Sequence, residues 1–362
     1  MRSPGLEPAP IDAALRDLRL RDYRPSSSLR LAGHHVPRAR FPAVDAHNHL
    51  GRWLTEDGGW AAPDVGALLA DMDACNVAAV VNLDGMWGDE LETNLDRYDR
   101  AHPGRFTTFC HLDWGELTSA GWPDRLASSF AASIEAGAKG LKVWKSLGLV
   151  LRDESGALVM PDDPRLAPVW ATAAEHRVPV TIHVADPVAF FQPVDAGNER
   201  LEELLAHPEW SFADPRYPRF DRLLDALEHL VGSNPATTFV GAHVGCCAED
   251  LSWVDRMLAA YSNFHVDVAA RIAELGRQPR AARRLILAHP DRVLFGMDLF
   301  PPDPRDYAIH FRFLETDDEC FPYSTDDPPP EGRWSISGVH LPDDVLEAVY
   351  RLNAERLIPG LG

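Results

Sequence analysis

The chain has 362 residues, with 35 basic and 55 acidic side chains and a formal net charge of −20. So acidic a balance argues against nucleic acid or anionic membrane as the main partner, because both demand basic patches. Apolar residues make up 45% and charged residues 25%, a globular composition, and no run of ~18 apolar residues could span a bilayer.

The opening stretch MRSPGLEPAPIDAALRDLRLRDYRP is broken by proline and charge and has no apolar signal core, so a cytoplasmic location is expected. Residues 1–41 read as an N-terminal arm: a short helix over Ile11–Leu20, then an irregular segment ending at Phe41. From residue 42 to 362 a strand-helix rhythm sets in and marks one domain. Short β-branched or apolar runs recur at Ala43–His47, Val77–Leu83, Phe106–Leu112, Gly140–Trp144, Val178–His183, Thr238–His243, Phe264–Val268 and Arg292–Met297. Between them, apolar residues fall at helical spacing, as in Val65, Leu68, Leu69 and Met72, or Leu223, Leu224, Leu227 and Leu230. Eight alternating units, with strands too apolar to face water on one side, predict an α/β fold, a closed (β/α)8 TIM barrel. A doubly wound open sheet is the alternative, but no glycine-rich phosphate loop follows any strand.

Two connections are far longer than the usual ~2–6 residues. One runs from Ala185 to about Pro218 after the fifth strand and the other from Phe300 to about Leu341 after the eighth. Both leave from the strand ends where barrel enzymes build their sites. Their aromatic content favours ordered lids.

The five cysteines are odd in number, with one vicinal pair, Cys246-Cys247, and no C-x-x-C. That pattern suits neither a disulfide framework nor a cysteine zinc knuckle, so a metal would have to be held by histidine and carboxylate. The first strand ends in VDAHNHLG, with His47 and His49 two apart and hence on one face of the strand. VTIHVADP puts His183 at the fifth strand's end, TFVGAHVG puts His243 at the sixth, and VLFGMDLF puts Asp298 at the eighth. A buried imidazole or carboxylate without a partner costs several kcal/mol, on the order of 1–3 each. One is easily a satisfied core group, whereas five converging on a single barrel rim predict a cation site.

The pattern resembles the amidohydrolase superfamily of metal-dependent TIM-barrel enzymes, in the branch that includes aminocarboxymuconate semialdehyde decarboxylase. DAHNHLG, TIHVADP, VGAHVG, LFGMDLFP and the closing NAERL carry the resemblance, from Asp45 to about Leu357. It implies that His47, His49, His183 and Asp298 ligate one divalent ion, zinc first and manganese second. It also implies that His243 lies beside the metal-bound water or the substrate oxygen, with Asp298 taking and returning a proton.

The fourth strand offers Lys142 and Lys145. In binuclear relatives a carboxylated lysine on this strand bridges two metals, but a substrate-facing or paired Lys142 is the favoured reading. Arg271 reads either as a clamp for a substrate carboxylate or as a surface residue paired with Glu274. Asp267 is a candidate to steady a ligand, and Asp186 and Glu249 are candidates to hydrogen-bond substrate or a ligand histidine. Trp53, Trp87, Trp144 and Trp334 fall on or near the same loops and suit a planar or cyclic small-molecule substrate, with Trp53 and Trp144 as its walls.

The resulting expectation is a metal-dependent hydrolase cleaving a C–N, C–O or C–C bond. Non-oxidative decarboxylation of a small aromatic or enoic acid is the alternative, and a non-catalytic barrel is disfavoured because no ligand is missing. A homodimer is compatible with an acidic, tryptophan-rich barrel carrying a terminal arm.

Overall fold

The computed structural model describes residues 11–300 and 302–361. The chain divides into two units, one ending at Ala32 and one beginning at Gly33.

In the first unit the expected helix over Ile11–Leu20 does not form. Two 3-10 segments, Ala13–Asp17 and Leu20–Asp22, take its place, and neither buries a residue. A helix of ~10 residues that covers no core stands on propensity alone, which is marginal in water.

The described residues of the second unit contain eight parallel strands. They are β1 (Ala43–Asn48), β2 (Val77–Asn82), β3 (Phe106–Thr108), β4 (Leu141–Val143), β5 (Val180–Ile182), β6 (Phe239–Gly241), β7 (Phe264–Asp267) and β8 (Val293–Leu294). Neighbours pair in sequence order within a three-stranded sheet, β1-β2-β3, and a five-stranded sheet, β4 to β8. A parallel bridge from Cys110 to Leu141 joins the two sheets. At the other seam Ala46 N donates to Phe295 O at 2.9 Å, and Asp298 N donates to His47 O at 2.8 Å. The ring of strands thus closes as a (β/α)8 barrel. Gly296 permits that seam: a Cβ there would come within 2.8 Å of His47 Cβ.

The helices that follow the strands bury the predicted faces. Helix Val65–Cys75 buries Leu68 and Met72, and helix Phe220–Ser233 buries Leu223, Leu224, Leu227 and Leu230. The stretch after β5 is ordered by short turns and by aromatic contacts such as Phe190 with Trp210, 6.1 Å between ring centroids.

The stretch after β8 differs from the expectation. A twelve-residue helix, Pro304–Glu315, interrupts it. Asp303 caps that helix, Pro304 fits its first turn, and Tyr307, Phe311 and Leu314 face the core at helical spacing. Residues 34–40, which the sequence reading gives to the arm, run along the barrel unit itself. There Asp318 accepts from His34 N at 2.6 Å, and Ala39 N donates to Cys75 O at 3.0 Å. No helix of the described residues is long and apolar enough to cross a membrane.

Candidate functional site

A parallel strand buried on both faces offers polar groups a place at one end only, the carboxyl-terminal mouth of the barrel. There His47 and His49 leave β1, His183 leaves β5, His243 leaves β6 and Asp298 follows β8. The four imidazoles are buried, and Asp298 keeps 20% of its side-chain surface exposed.

The structure brings all five together. Oxygens of Asp298 lie 3.2 Å from His49 Nε2, 3.7 Å from His47 Nε2 and 3.6 Å from His243 Nε2. The His183 ring centroid is 4.5 Å from that of His243, which is 4.8 Å from that of His47. Among the described residues the one group of three ligand-capable atoms within 4.8 Å of one another is His47, His243 and Asp298. His243 therefore stands as close to the carboxylate as His47 does.

The outer nitrogen of every ring has an acceptor. His47 Nδ1 is 2.8 Å from Asp267 Oδ2, and His49 Nδ1 is 2.6 Å from Asp84 Oδ1. His243 Nδ1 is 2.9 Å from Ala269 O, and His183 Nε2 is 3.1 Å from Ala185 O and 3.2 Å from Asp186 Oδ1. With the outer nitrogens donating, the inner ones present lone pairs to the common centre. Of these inner atoms, His183 Nδ1 is buried with no hydrogen-bond partner, and His49 Nε2 is buried facing an Asp298 oxygen at 3.2 Å.

Electrostatics follows from this packing. Burial, with Lys142 nearby, holds His47 well below the ordinary histidine range; burial, with His183 and Arg271 nearby, does the same for His243. Burial brings His183 down to about 4 against the pull of Asp186. His49 is the exception: burial opposes its charge, but Asp84 and Asp298 on either side push it up to about 9. Burial would raise Asp298, yet the surrounding imidazoles, His47 foremost, hold it well below the usual carboxylate range. The site therefore keeps an ionised carboxylate among imidazoles that are mostly neutral.

Lys142 is fully buried, with Nζ 3.0 Å from His47 Nε2, and burial lowers its pKa. Lys145 instead pairs with Asp186 at 2.5 Å. Asp267 does more than steady one ligand: its Oδ1 also accepts from His243 N at 2.8 Å and Ala269 N at 3.2 Å.

Trp144 stands edge-on to His49, His183 and Trp53, with ring centroids 5.9, 5.3 and 4.9 Å away. Trp53 and Trp144 thus form one aromatic wall. Trp87 and Trp334 lie elsewhere: Trp87 borders a groove with Asp113 and Glu116, and Trp334 stacks on Tyr323 and under Arg277. Glu249 accepts from Val188 N at 2.9 Å.

Arg271 is buried, and its surface pairing with Glu274 is not found. Glu274 pairs with Arg200, which also meets Glu203 at 2.8 Å and Glu331 at 2.9 Å. That charged clasp joins the stretches after β5 and β8 to the helix Ile272–Arg277.

Sequence reasoning passed over Asp84 and His111. His111 is buried, with Nε2 2.6 Å from Leu83 O and its ring 5.3 Å from that of Trp53. Both residues follow apolar runs, VVNLDG and FTTFCH, the same signal that marks His183 and Asp298.

The chain is similar in structure to several solved proteins, all at identities that establish the fold alone. A 2,6-dihydroxybenzoate decarboxylase from Rhizobium matches with a TM-score of 0.53 and 16% identity, over 88% of this chain and 98% of that one. A dihydroxybenzoic acid decarboxylase from Polaromonas sp. JS666, with bound manganese and the inhibitor 2-nitroresorcinol, matches at 0.55 and 14%, over 88% and 96%. A 5-carboxyvanillate decarboxylase from Sphingomonas paucimobilis matches at 0.52 and 15%, over 88% and 98%. No curated protein matches the sequence. The amidohydrolase family model matches residues 44–360, from β1 through the last helix. With the strand order, the barrel mouth and that match in agreement, the chain belongs to the amidohydrolase family of TIM-barrel enzymes.

Proposed function

We propose that this protein is a metal-dependent hydrolase of a small, carboxylate-bearing substrate, with one divalent cation held among His47, His49, His183 and Asp298 and with His243 alongside. The observation that carries the reading is the gathering of four buried imidazoles and Asp298 at one barrel mouth, with His183 Nδ1 buried and unpartnered and His49 Nε2 facing an Asp298 oxygen at 3.2 Å. An unmade hydrogen bond costs on the order of 1–3 kcal/mol in a buried site. A cation that accepts both lone pairs removes that cost, and it also supplies the positive charge that a proton on His49 supplies otherwise. Imidazole suits zinc and carboxylate suits manganese, with zinc the tighter binder at a histidine-rich site, and either would contribute Lewis acidity that polarises an oxygen of water or substrate.

The chain's own residues do the rest. Asp298, ionised and partly exposed, accepts a proton from the attacking water and returns it to the leaving group. His243, fixed by Ala269 O, aims Nε2 at the reacting oxygen. Trp53 and Trp144 wall the substrate and exclude water. Arg271, buried, donating to Ala270 O and held charged by Glu274, Glu331 and Glu249 nearby while forming no direct ion pair among the described residues, is the anchor for the substrate's carboxylate. The proposed compartment is the cytoplasm, where five unpaired thiols persist.

Arg271 also favours a second reading, decarboxylation, because a buried guanidinium positions the carboxylate to be lost, and solved neighbours carry that activity by name. Elemental analysis and a substrate panel test both. The expected result is one zinc or manganese per chain, lost in His47→Ala. Asp298→Asn is expected to retain some metal while losing most turnover, because an amide cannot take the proton. Carbon dioxide released from dihydroxybenzoates, with no hydrolysis of esters or amides, selects decarboxylation. Full activity after thorough chelation overturns both.

A further inference from the structure

After β6 the backbone does something unusual for L-residues. His243, Val244, Gly245 and Cys246 take φ of 58°, 60°, 67° and 60°, one complete left-handed turn. Only Gly245 adopts that region freely; the other three carry a Cβ that crowds the following carbonyl, and Val244 is β-branched besides. Such strain persists only where the surroundings over-determine it, and it clusters at working sites.

The bonds that hold this turn are identifiable. Cys246 N donates to Ala242 O at 2.8 Å, and His243 N donates to Asp267 Oδ1 at 2.8 Å. The Cys246 thiol donates to Ala242 O at 3.4 Å and accepts from Val184 N at 3.4 Å. Val184 directly follows His183, so one buried sulfur connects the segment carrying His183 to the turn carrying His243. Gly241 lets the turn pack closely: a Cβ there would come within 2.7 Å of Phe264 Cζ and 2.9 Å of Gly245 Cα.

The handedness has a consequence for His243. Its N–H points to Asp267 and its Nδ1 reaches Ala269 O only with the left-handed backbone in place, and that leaves Nε2 facing Asp298 at 3.6 Å. A turn relaxed to the right-handed region would redirect both groups.

We propose that the left-handed turn His243–Cys246 is a positioning device, and that Cys246 is its positioning residue, coupling the placement of His183 to that of His243. The idea rests on the metal-site reading for its purpose but not for its structural content. The test compares wild type, Cys246→Ala and Cys246→Ser. Serine keeps a group that both donates and accepts; alanine keeps neither.

The first readout is zinc affinity, by competition with a chromophoric chelator. Cys246→Ala is expected to weaken it by roughly 10- to 100-fold, the range typical of lost supporting bonds around a metal site, and Cys246→Ser is expected to recover most of the loss. The second readout needs no metal: long-range 1H–15N spectra of histidine-labelled protein, with His243 assigned from a His243→Gln variant. Wild type and Cys246→Ser should show the single Nδ1–H tautomer of His243, and Cys246→Ala a mixture. Unchanged affinity and an unchanged tautomer in a folded Cys246→Ala protein overturn the proposal while leaving the metal site intact. Should wild type bind neither zinc nor manganese, the function proposed above fails, and the tautomer comparison still decides the role of the turn.

Discussion

Asp267 offers the sharpest perturbation of the site, because one carboxylate serves two histidines. Its Oδ2 is 2.8 Å from His47 Nδ1, and its Oδ1 is 2.8 Å from His243 N. Replacing it by asparagine keeps size and shape, but an amide accepts through one oxygen and donates through its nitrogen. Either His47 Nδ1–H or His243 N–H then faces another donor in a buried place. Leaving one buried donor unsatisfied costs about 1–3 kcal/mol, and 1.4 kcal/mol is about tenfold in a binding constant. Asp267→Asn is therefore expected to weaken zinc binding by about ten- to hundredfold. The loss comes either through the wrong tautomer of His47 or through a displaced His243. Chelator competition on the purified protein measures it, with circular dichroism confirming the fold. Binding within about twofold of wild type would refute the reasoning that Asp267 orients the ligand set.

Three further expectations follow from other parts of the molecule. Arg200→Met removes the cation from a buried clasp and strands the carboxylates of Glu203, Glu274 and Glu331. Breaking a buried pair by removing one partner costs about 3–5 kcal/mol, so its urea midpoint should fall clearly, and an unchanged midpoint contradicts the clasp. Glu331, raised to about 7 by burial and the neighbouring Glu274, is protonated when folded between about pH 4.5 and 7 but ionised when unfolded. The folded state then binds more protons, so this group's contribution to stability falls as pH rises through that window. Glu331→Gln should therefore gain in melting temperature relative to wild type between pH 5 and pH 8, and an equal difference at both pH values contradicts the burial argument. Lys142→Met should leave one ion per chain and weaken substrate binding. A drop from two ions to one would instead mark Lys142 as a bridge.

The barrel was legible in the sequence because its strands are buried on both faces and read as short apolar runs, so all eight were found within a few residues of their observed bounds. The gathering of His47, His49, His183, His243 and Asp298 was legible for the same reason, since each closes an apolar run at the mouth end of its strand. Asp84 and His111 carried the same mark and were passed over, because an aspartate before glycine also reads as a turn and a single histidine as a core group. Helix Pro304–Glu315 hid behind a proline- and aspartate-rich entry that resembles loop, although its apolar residues recur at helical spacing. What no local pattern could reveal was pairing. That Glu274 meets Arg200 and not Arg271, or that Asp267 reaches both His47 and His243, depends on chain segments tens to hundreds of residues apart. The left-handed backbone at His243–Cys246 contradicts local preference at Val244, and tertiary bonds to Asp267 and Val184 reinforce the turn's own bonds to Ala242 O.

The most direct measurement is anomalous diffraction from crystals of the protein purified without chelator and soaked in zinc or manganese. A single anomalous peak within about 2–2.3 Å of nitrogens of His47, His49 and His183 and of an oxygen of Asp298 is the predicted result. An empty barrel mouth under those conditions, or a peak bound elsewhere with these four side chains unchanged, would contradict it.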